Sequence, residues 1–147
     1  MNIVQGNVRQ SFTLEEIGLS IGKEIWIHGS VYRIRRMSGF AFVIIRRSHD
    51  LIQCVYQEKT AEFALNELEE EMCIRLKAQV RTEARSKRGW ELALISMEVL
   101  SFPKEKPPIV INHKIVDTSL ENMLNYRPVT LRNEKERAIF RIQEGIC

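Results

Sequence analysis

Val31 to Tyr56 reads VYRIRRMSGFAFVIIRRSHDLIQCVY. Two apolar runs are joined by a short turn at Met37-Ser-Gly39, and the stretch carries five arginines, Arg33, Arg35, Arg36, Arg46 and Arg47, with no acid between the first and the last. From Phe40 to Arg47 the residues alternate: Ala41, Val43 and Ile45 point one way, and Phe40, Phe42, Ile44 and Arg46 the other. Leu51 to Tyr56 follows after a turn at Ser48-His49-Asp50 and carries a lone amide, Gln53. Positive charge, an aromatic ring and an amide are what a single-stranded nucleic-acid surface needs. The same parity also admits Phe42 as a core residue, Gln53 as a plain surface amide and the basic turns as solvated loops.

Outward from this stretch, Lys23 to Arg35 reads as the first strand. Ile25, Ile27 and Val31 share one parity and Ile34 has the other, so both sets reach one face only through a bulge. Gly29 is the expected place for it. Glu58 to Leu68 changes to helical spacing, with Ala61, Leu65 and Leu68 on one side and Thr60 as the expected N-cap. Met72 to Ala84 alternates cleanly: Ile74, Leu76, Ala78 and Val80 inward, Arg75, Lys77, Gln79 and Arg81 outward. A basic turn, Arg85 to Gly89, leads into a fifth strand, Trp90 to Phe102. Three strands, a helix and two strands is the element order of the OB-fold, a five-stranded Greek-key barrel. The expected class is therefore mainly β. Its binding face is the second and third strands, framed by the loops after strands one and four. The basic residues fall on those elements.

Residues 1–22 read as an N-terminal extension with a short helix capped by Ser11 or Thr13, the latter spaced from Glu16 for a capping box. Pro103 to Pro108 holds three prolines in six residues and marks a boundary. Beyond it come an extended or strand-like Ile109-Val-Ile111 and one or two helical turns over Ser119 to Asn125. Asn133 with Glu136 again has capping spacing, and Ile139, Ile142 and Ile146 form an apolar stripe. A stripe needs a partner surface, so the chain is expected to be the front part of a longer protein, stopping inside its next domain. The expected division is 1–22, an OB domain at 23–102, a linker at 103–132 and the start of a further domain at 133–147.

The chain has 147 residues and a net charge of +3, so the placement of charge says more than its sum. The acids gather over Glu58 to Glu71, away from the arginines. Cys54, Cys73 and Cys147 form no metal or disulfide pattern, and no metal site is expected. Cys54 and Cys73 are expected as buried thiols. With no long apolar run and a polar N-terminus, a cytoplasmic protein without a membrane segment is expected.

Two stretches resemble the class II aminoacyl-tRNA synthetases of the aspartate, asparagine and lysine subgroup, nearest the archaeal and eukaryotic aspartyl type. The first is GKEIWIHGSVYRIRRMSGFAFVIIRRSHDLIQCVY, similar to the anticodon-binding OB domain. The second is Leu124 to Arg132 followed by AIFRIQEGIC, similar to the segment entering catalytic motif 1. Asn125 and Thr130 stand where that family usually has aspartates. The resemblance implies that Phe42 stacks an anticodon base, that Gln53 reads the central uracil and that Arg35 contacts the same region. It implies that Glu91 helps to define the pocket, and that Arg127 and Arg132 are linker arginines. Arg33, Arg36, Arg46, Lys87 and Arg88 are the expected phosphate contacts. The implied partner is tRNA, through an anticodon loop with a central U. For a full-length enzyme the resemblance implies ATP and Mg²⁺, aspartylation of tRNA and a homodimer; for this chain alone it implies no catalytic residues, no cofactor and no ligase activity. Asparaginyl and non-discriminating aspartyl enzymes remain alternatives, as do a free-standing OB module and an OB domain that binds protein.

Overall fold

Five strands close on themselves in the order β1-β2-β3-β5-β4. They are β1 (Glu24–Arg36), β2 (Ala41–Arg46), β3 (Leu51–Tyr56), β4 (Cys73–Thr82) and β5 (Trp90–Ser101). The computed structural model describes residues 12–48 and 50–147, so Ser11 lies outside the described residues. Contacts divide the chain into two units, Met1–Phe102 and Pro103–Cys147. The barrel is antiparallel except for the β3–β5 pair, which is parallel. That one parallel contact closes the Greek key and leaves no long free edge.

Alternation builds the core as the sequence pattern requires. Ala41, Val43, Ile45, Ile52, Cys54, Ile74, Leu76, Ala78, Val80, Leu92 and Leu94 are all fully buried in one cluster. Burial pushes the Cys54 thiol up to about 12, with Arg47 pulling weakly the other way. The half-buried Cys73 lies with its Sγ 3.4 Å from Ser30 Oγ.

The bulge in β1 falls between Val31 and Arg33, not at Gly29: Tyr32 and Arg33 together oppose Ile44. Gly29 serves a different need. A Cβ there would lie 2.5 Å from the Arg46 carbonyl oxygen and 2.6 Å from Ile45 Cγ2, so only glycine permits this approach of β1 to β2. The helix expected over residues 58–68 is not formed. Only a 3-10 turn, Leu65–Glu67, lies between β3 and β4. The barrel competes for the backbone that a helix would use: Glu62 N–H donates to Ile95 O at 2.7 Å, and Tyr56 Oη donates to Phe63 O at 2.9 Å. Ala61, Phe63, Leu65 and Leu68 still pack on the core. Their spacing suits burial from an irregular segment as well as from a helix. Thr60 caps nothing; its hydroxyl donates to Gln57 O at 3.3 Å.

Ahead of the barrel, α1 (Leu14–Gly18) starts with the expected capping box. Glu16 N–H donates to Thr13 Oγ1 at 3.2 Å, and Thr13 N–H donates to the Glu16 carboxylate at 2.7 Å. Its buried Ile17 joins the barrel core.

The second unit contains α2 (Leu120–Asn125), α3 (Arg127–Thr130) and α4 (Glu134–Ile146), and a small cluster of Ile109, Ile111 and Val116 on which Val129 of α3 packs. Residues 109–111 are irregular and form no strand. Asn133 is buried and ties this unit together. Its amide donates to Ile111 O at 2.9 Å and to His113 O at 2.7 Å, while Oδ1 caps α4 by accepting from Lys135 and Glu136 N–H. Arg127 reaches Glu136 at 3.4 Å and lies over the Phe140 ring at 5.1 Å. Ile139, Phe140, Ile142 and Ile146 of α4 are exposed. Among the described residues, no helix is long and apolar enough to cross a membrane.

Candidate nucleic-acid interface

The bulge decides which side chains reach the outer surface. Counting from Ile25, Ile27 and Val31, an unbroken strand would turn Arg33 and Arg35 into the barrel and Ile34 out of it. With one extra residue, Ile34 pairs with Val43 and packs on the core, whereas Arg33 pairs with Ile44 and Arg35 with Phe42. Two cations are thereby kept out of an apolar interior where their desolvation would be unopposed.

From there the register runs across the sheet in two rows. One row is Arg35, Phe42, Val55, Ala93 and Gln79. The other begins Arg33, Ile44 and Gln53. The parallel ladder pairs Cys54 with Leu92, so the preceding residues, Gln53 and Glu91, are neighbours, and Glu91 in turn opposes Arg81. Phe42 is half-buried and Phe40 meets it edge-on, centroids 5.2 Å apart at 86°. Gln53 is exposed, and its amide makes no hydrogen bond among the described residues. A ring is thus braced on β2, and an uncommitted donor–acceptor group stands one strand and one row away. Burial holds the half-buried Glu91 carboxyl above its ordinary value; Glu83 adds to the rise, and Arg81 and Arg85 oppose it.

Arg35 and Arg36 are exposed at the end of β1, and the following turn has Gly39 at φ 84°. Lys87 and Arg88 are exposed on the turn between β4 and β5, where Arg88 lies over the Trp90 ring at 5.8 Å. Arg46 is the exception and corrects the expectation of a phosphate contact. It is buried, and its guanidinium holds both carboxylate oxygens of Glu71, at 3.0 and 2.8 Å. Arg47 is likewise committed, with both Asp50 oxygens at 2.6 Å and Phe12 O at 2.6 Å. Sequence reasoning grouped all five arginines because nothing local marks a partner 25 positions away. It also passed over Arg81 and Gln79 as members of the rows. Their outward parity was readable, but only the β4–β5 pairing sets Arg81 opposite Glu91 and Gln79 opposite Ala93, which the β3–β5 pairing in turn joins to Val55. No cluster of metal-binding side chains occurs among the described residues.

Residues 25–100 match the family model of the tRNA anticodon type described as an OB-fold nucleic acid binding domain. Among curated proteins, the asparagine–tRNA ligase of Desulforamulus reducens is 31% identical over 140 residues, covering 93% of this chain and 32% of that protein. The aspartate–tRNA(Asp/Asn) ligase of Sulfurisphaera tokodaii is 30% identical over 123 residues, covering 83% of this chain and 28% of that protein. The chain therefore spans about a third of the length of the curated relatives it matches. In fold it resembles asparaginyl-tRNA synthetase from Pyrococcus horikoshii, with TM-score 0.77 at 24% identity over 92% of this chain and 33% of that one. It also resembles aspartyl tRNA synthetase from Entamoeba histolytica, with TM-score 0.79 at 19% identity over 98% of this chain and 37% of that one. A closed five-stranded barrel with this strand order and a family match over more than half its length place the chain in the anticodon-type family of OB-fold nucleic acid binding domains.

Proposed function

We propose that residues 23–102 recognise the anticodon loop of a tRNA with a central uracil, as part of an aspartate- or asparagine-type tRNA ligase. The observation that carries this reading is the pair Phe42 and Gln53, on adjacent strands, on one outer face and in adjoining register rows. Phe42 offers a stacking surface, worth about 1–3 kcal/mol per base but indifferent to its identity. Gln53 supplies what stacking lacks: an amide pairs its oxygen with the uracil N3–H and its N–H with a uracil carbonyl oxygen. Cytosine presents a ring acceptor and an amino donor instead, so the amide would have to turn over. Arg33, Arg35, Arg36, Lys87 and Arg88 contact phosphates and raise affinity without reading sequence. Glu91, beside Gln53, borders the pocket.

In this reading residues 103–132 are a linker, with Arg127 and Arg132 in it, and residues 133–147 begin the catalytic domain with the helix of motif 1. The whole protein would be a cytoplasmic homodimer that uses ATP and Mg²⁺ to charge tRNA. Aspartate is the preferred amino acid on the wording of AIFRIQEGIC; the relatives are named for either amino acid. The test is a titration of the chain with anticodon stem-loop RNAs that carry a central U or a central C. A preference for U is expected. Equal binding would favour a generic single-strand module, and no binding at low salt, where phosphate contacts are strongest, would sink both.

A further inference from the structure

Arg46 leaves the RNA-facing set, yet it remains attached to it. Its side chain and that of Glu71 are 6% and 4% exposed, and they meet in a two-pronged ion pair. Glu71 holds φ at 70°, the only non-glycine residue in the left-handed region among the described residues. Glycine would take that conformation without strain. A glutamate there keeps a carboxylate at the expense of the backbone, and such an outlier points to a constraint imposed from elsewhere.

That constraint lies on β1 and β2 together. Glu71 N–H donates to Val31 O at 2.8 Å, and Val31 N–H donates to Met72 O at 2.9 Å. Val31 is the last residue before the bulge, and Arg46 is paired with Ser30 on the neighbouring strand. One residue therefore grips β1 by its backbone and β2 by its side chain, next to the point where the register shifts. Buried ion pairs are weak devices for stability, since apolar residues of equal volume often do as well. Their better-attested use is to fix register.

We infer that Arg46 and Glu71 are positioning residues for the nucleic-acid face: the pair fixes the β1 bulge at Tyr32 and so holds Arg33 and Arg35 outward, in register with Ile44 and Phe42. This rests on the anticodon reading proposed above, because that face is what the pair serves.

The test uses the whole chain, a central-U anticodon stem-loop as probe, and a temperature well below the melting transition. The variants are Arg46→Met, the apolar pair Arg46→Met with Glu71→Met in case the single change fails to fold, and Arg33→Ala with Arg35→Ala, alone and combined with them. Loss of the ion pair is expected to weaken binding about tenfold and to flatten its salt dependence. With Arg33 and Arg35 already alanine, the same change should alter affinity by less than about twofold, because non-additivity marks residues that act through one another. Losses that multiply would mean that Arg46 makes its own contact and would overturn the inference. A lowered melting temperature with wild-type affinity would overturn it too, leaving a purely structural pair. Amide hydrogen exchange at residues 32–35, measured without RNA, should speed up in the methionine pair; unchanged protection there would rule out control of the register. If the wild-type chain fails to bind the stem-loop, the anticodon reading fails, while the exchange experiment still reports separately on the register.

Discussion

Two patches of one barrel carry both aromatic rings and basic side chains, and they differ in what answers the charge. On the β1–β4–β5 side, Trp26 lies under Arg75 at 4.4 Å, Arg75 reaches Glu98 at 3.3 Å, and Lys77 is bonded to Glu24. Glu24 holds the Lys77 ammonium above its ordinary value, mainly through that hydrogen bond. On the β1–β2–β3 side, Phe42 and Gln53 stand with Arg35 and Arg36, which have no acid partner among the described residues. The first patch is internally neutralised and its ring is already covered by a cation. The second leaves positive charge and hydrogen-bonding capacity for an outside anion and an outside base. Counting arginines does not separate these patches; counting their partners does.

The largest test of that contrast is to remove each ring. Phe42→Ala should weaken stem-loop binding by about 1–3 kcal/mol, whereas Trp26→Ala should leave it within about twofold in a fluorescence titration. Equal losses would erase the distinction between the patches. Next comes the amide. Gln53→Ala should reduce the preference for a central U over a central C by about 0.5–1.5 kcal/mol, one net hydrogen bond, while binding of the C loop hardly changes. A smaller signal lies in the salt dependence. Arg35→Ala or Arg36→Ala should each lower the slope of log affinity against log salt by about 0.7; Arg75→Ala, already paired with Glu98, should not.

The smallest effect expected concerns Glu91. Its folded carboxyl is raised above the ordinary 4.5, first by burial and then by Glu83. The folded state therefore binds more proton than the unfolded one in a window starting at 4.5 and ending at the raised value, and stability falls as pH rises through that window. Glu91→Gln should raise the melting temperature at neutral pH and leave it unchanged near about pH 3, where the wild-type carboxyl is protonated in both states. A wild-type melting curve that rises through the window would contradict the assignment.

Much of this barrel was legible because inward and outward parity is a local property of a strand. Val43, Ile45, Leu76 and Val80 announced their burial by alternation alone. Gly29 drew attention as a strand glycine, but sequence does not separate a bulge from a close approach; the approach of the Arg46 carbonyl does. The segment after Tyr56 misled because its apolar spacing suits a helix, while the barrel claims its backbone through Glu62 and Ile95. Phe42 and Gln53 could be named as candidates, since each sits at a readable parity. Their common face, and the place of Glu91 beside Gln53, depend on the β2–β3 and β3–β5 registers, which are long-range facts. Arg46 shows the same limit: its partner Glu71 lies at the end of the acidic stretch, far from the arginines in sequence.

The most direct measurement maps backbone amide shifts of the isotope-labelled chain as a central-U anticodon stem-loop is added. The expected perturbations fall on β2, β3 and the turns at residues 36–40 and 85–89, with Trp26, Arg75 and Lys77 unaffected. Perturbations centred on Trp26 and Arg75 instead, with Phe42 and Gln53 silent, would contradict the claim that the face carrying Phe42 and Gln53 is the one that meets RNA.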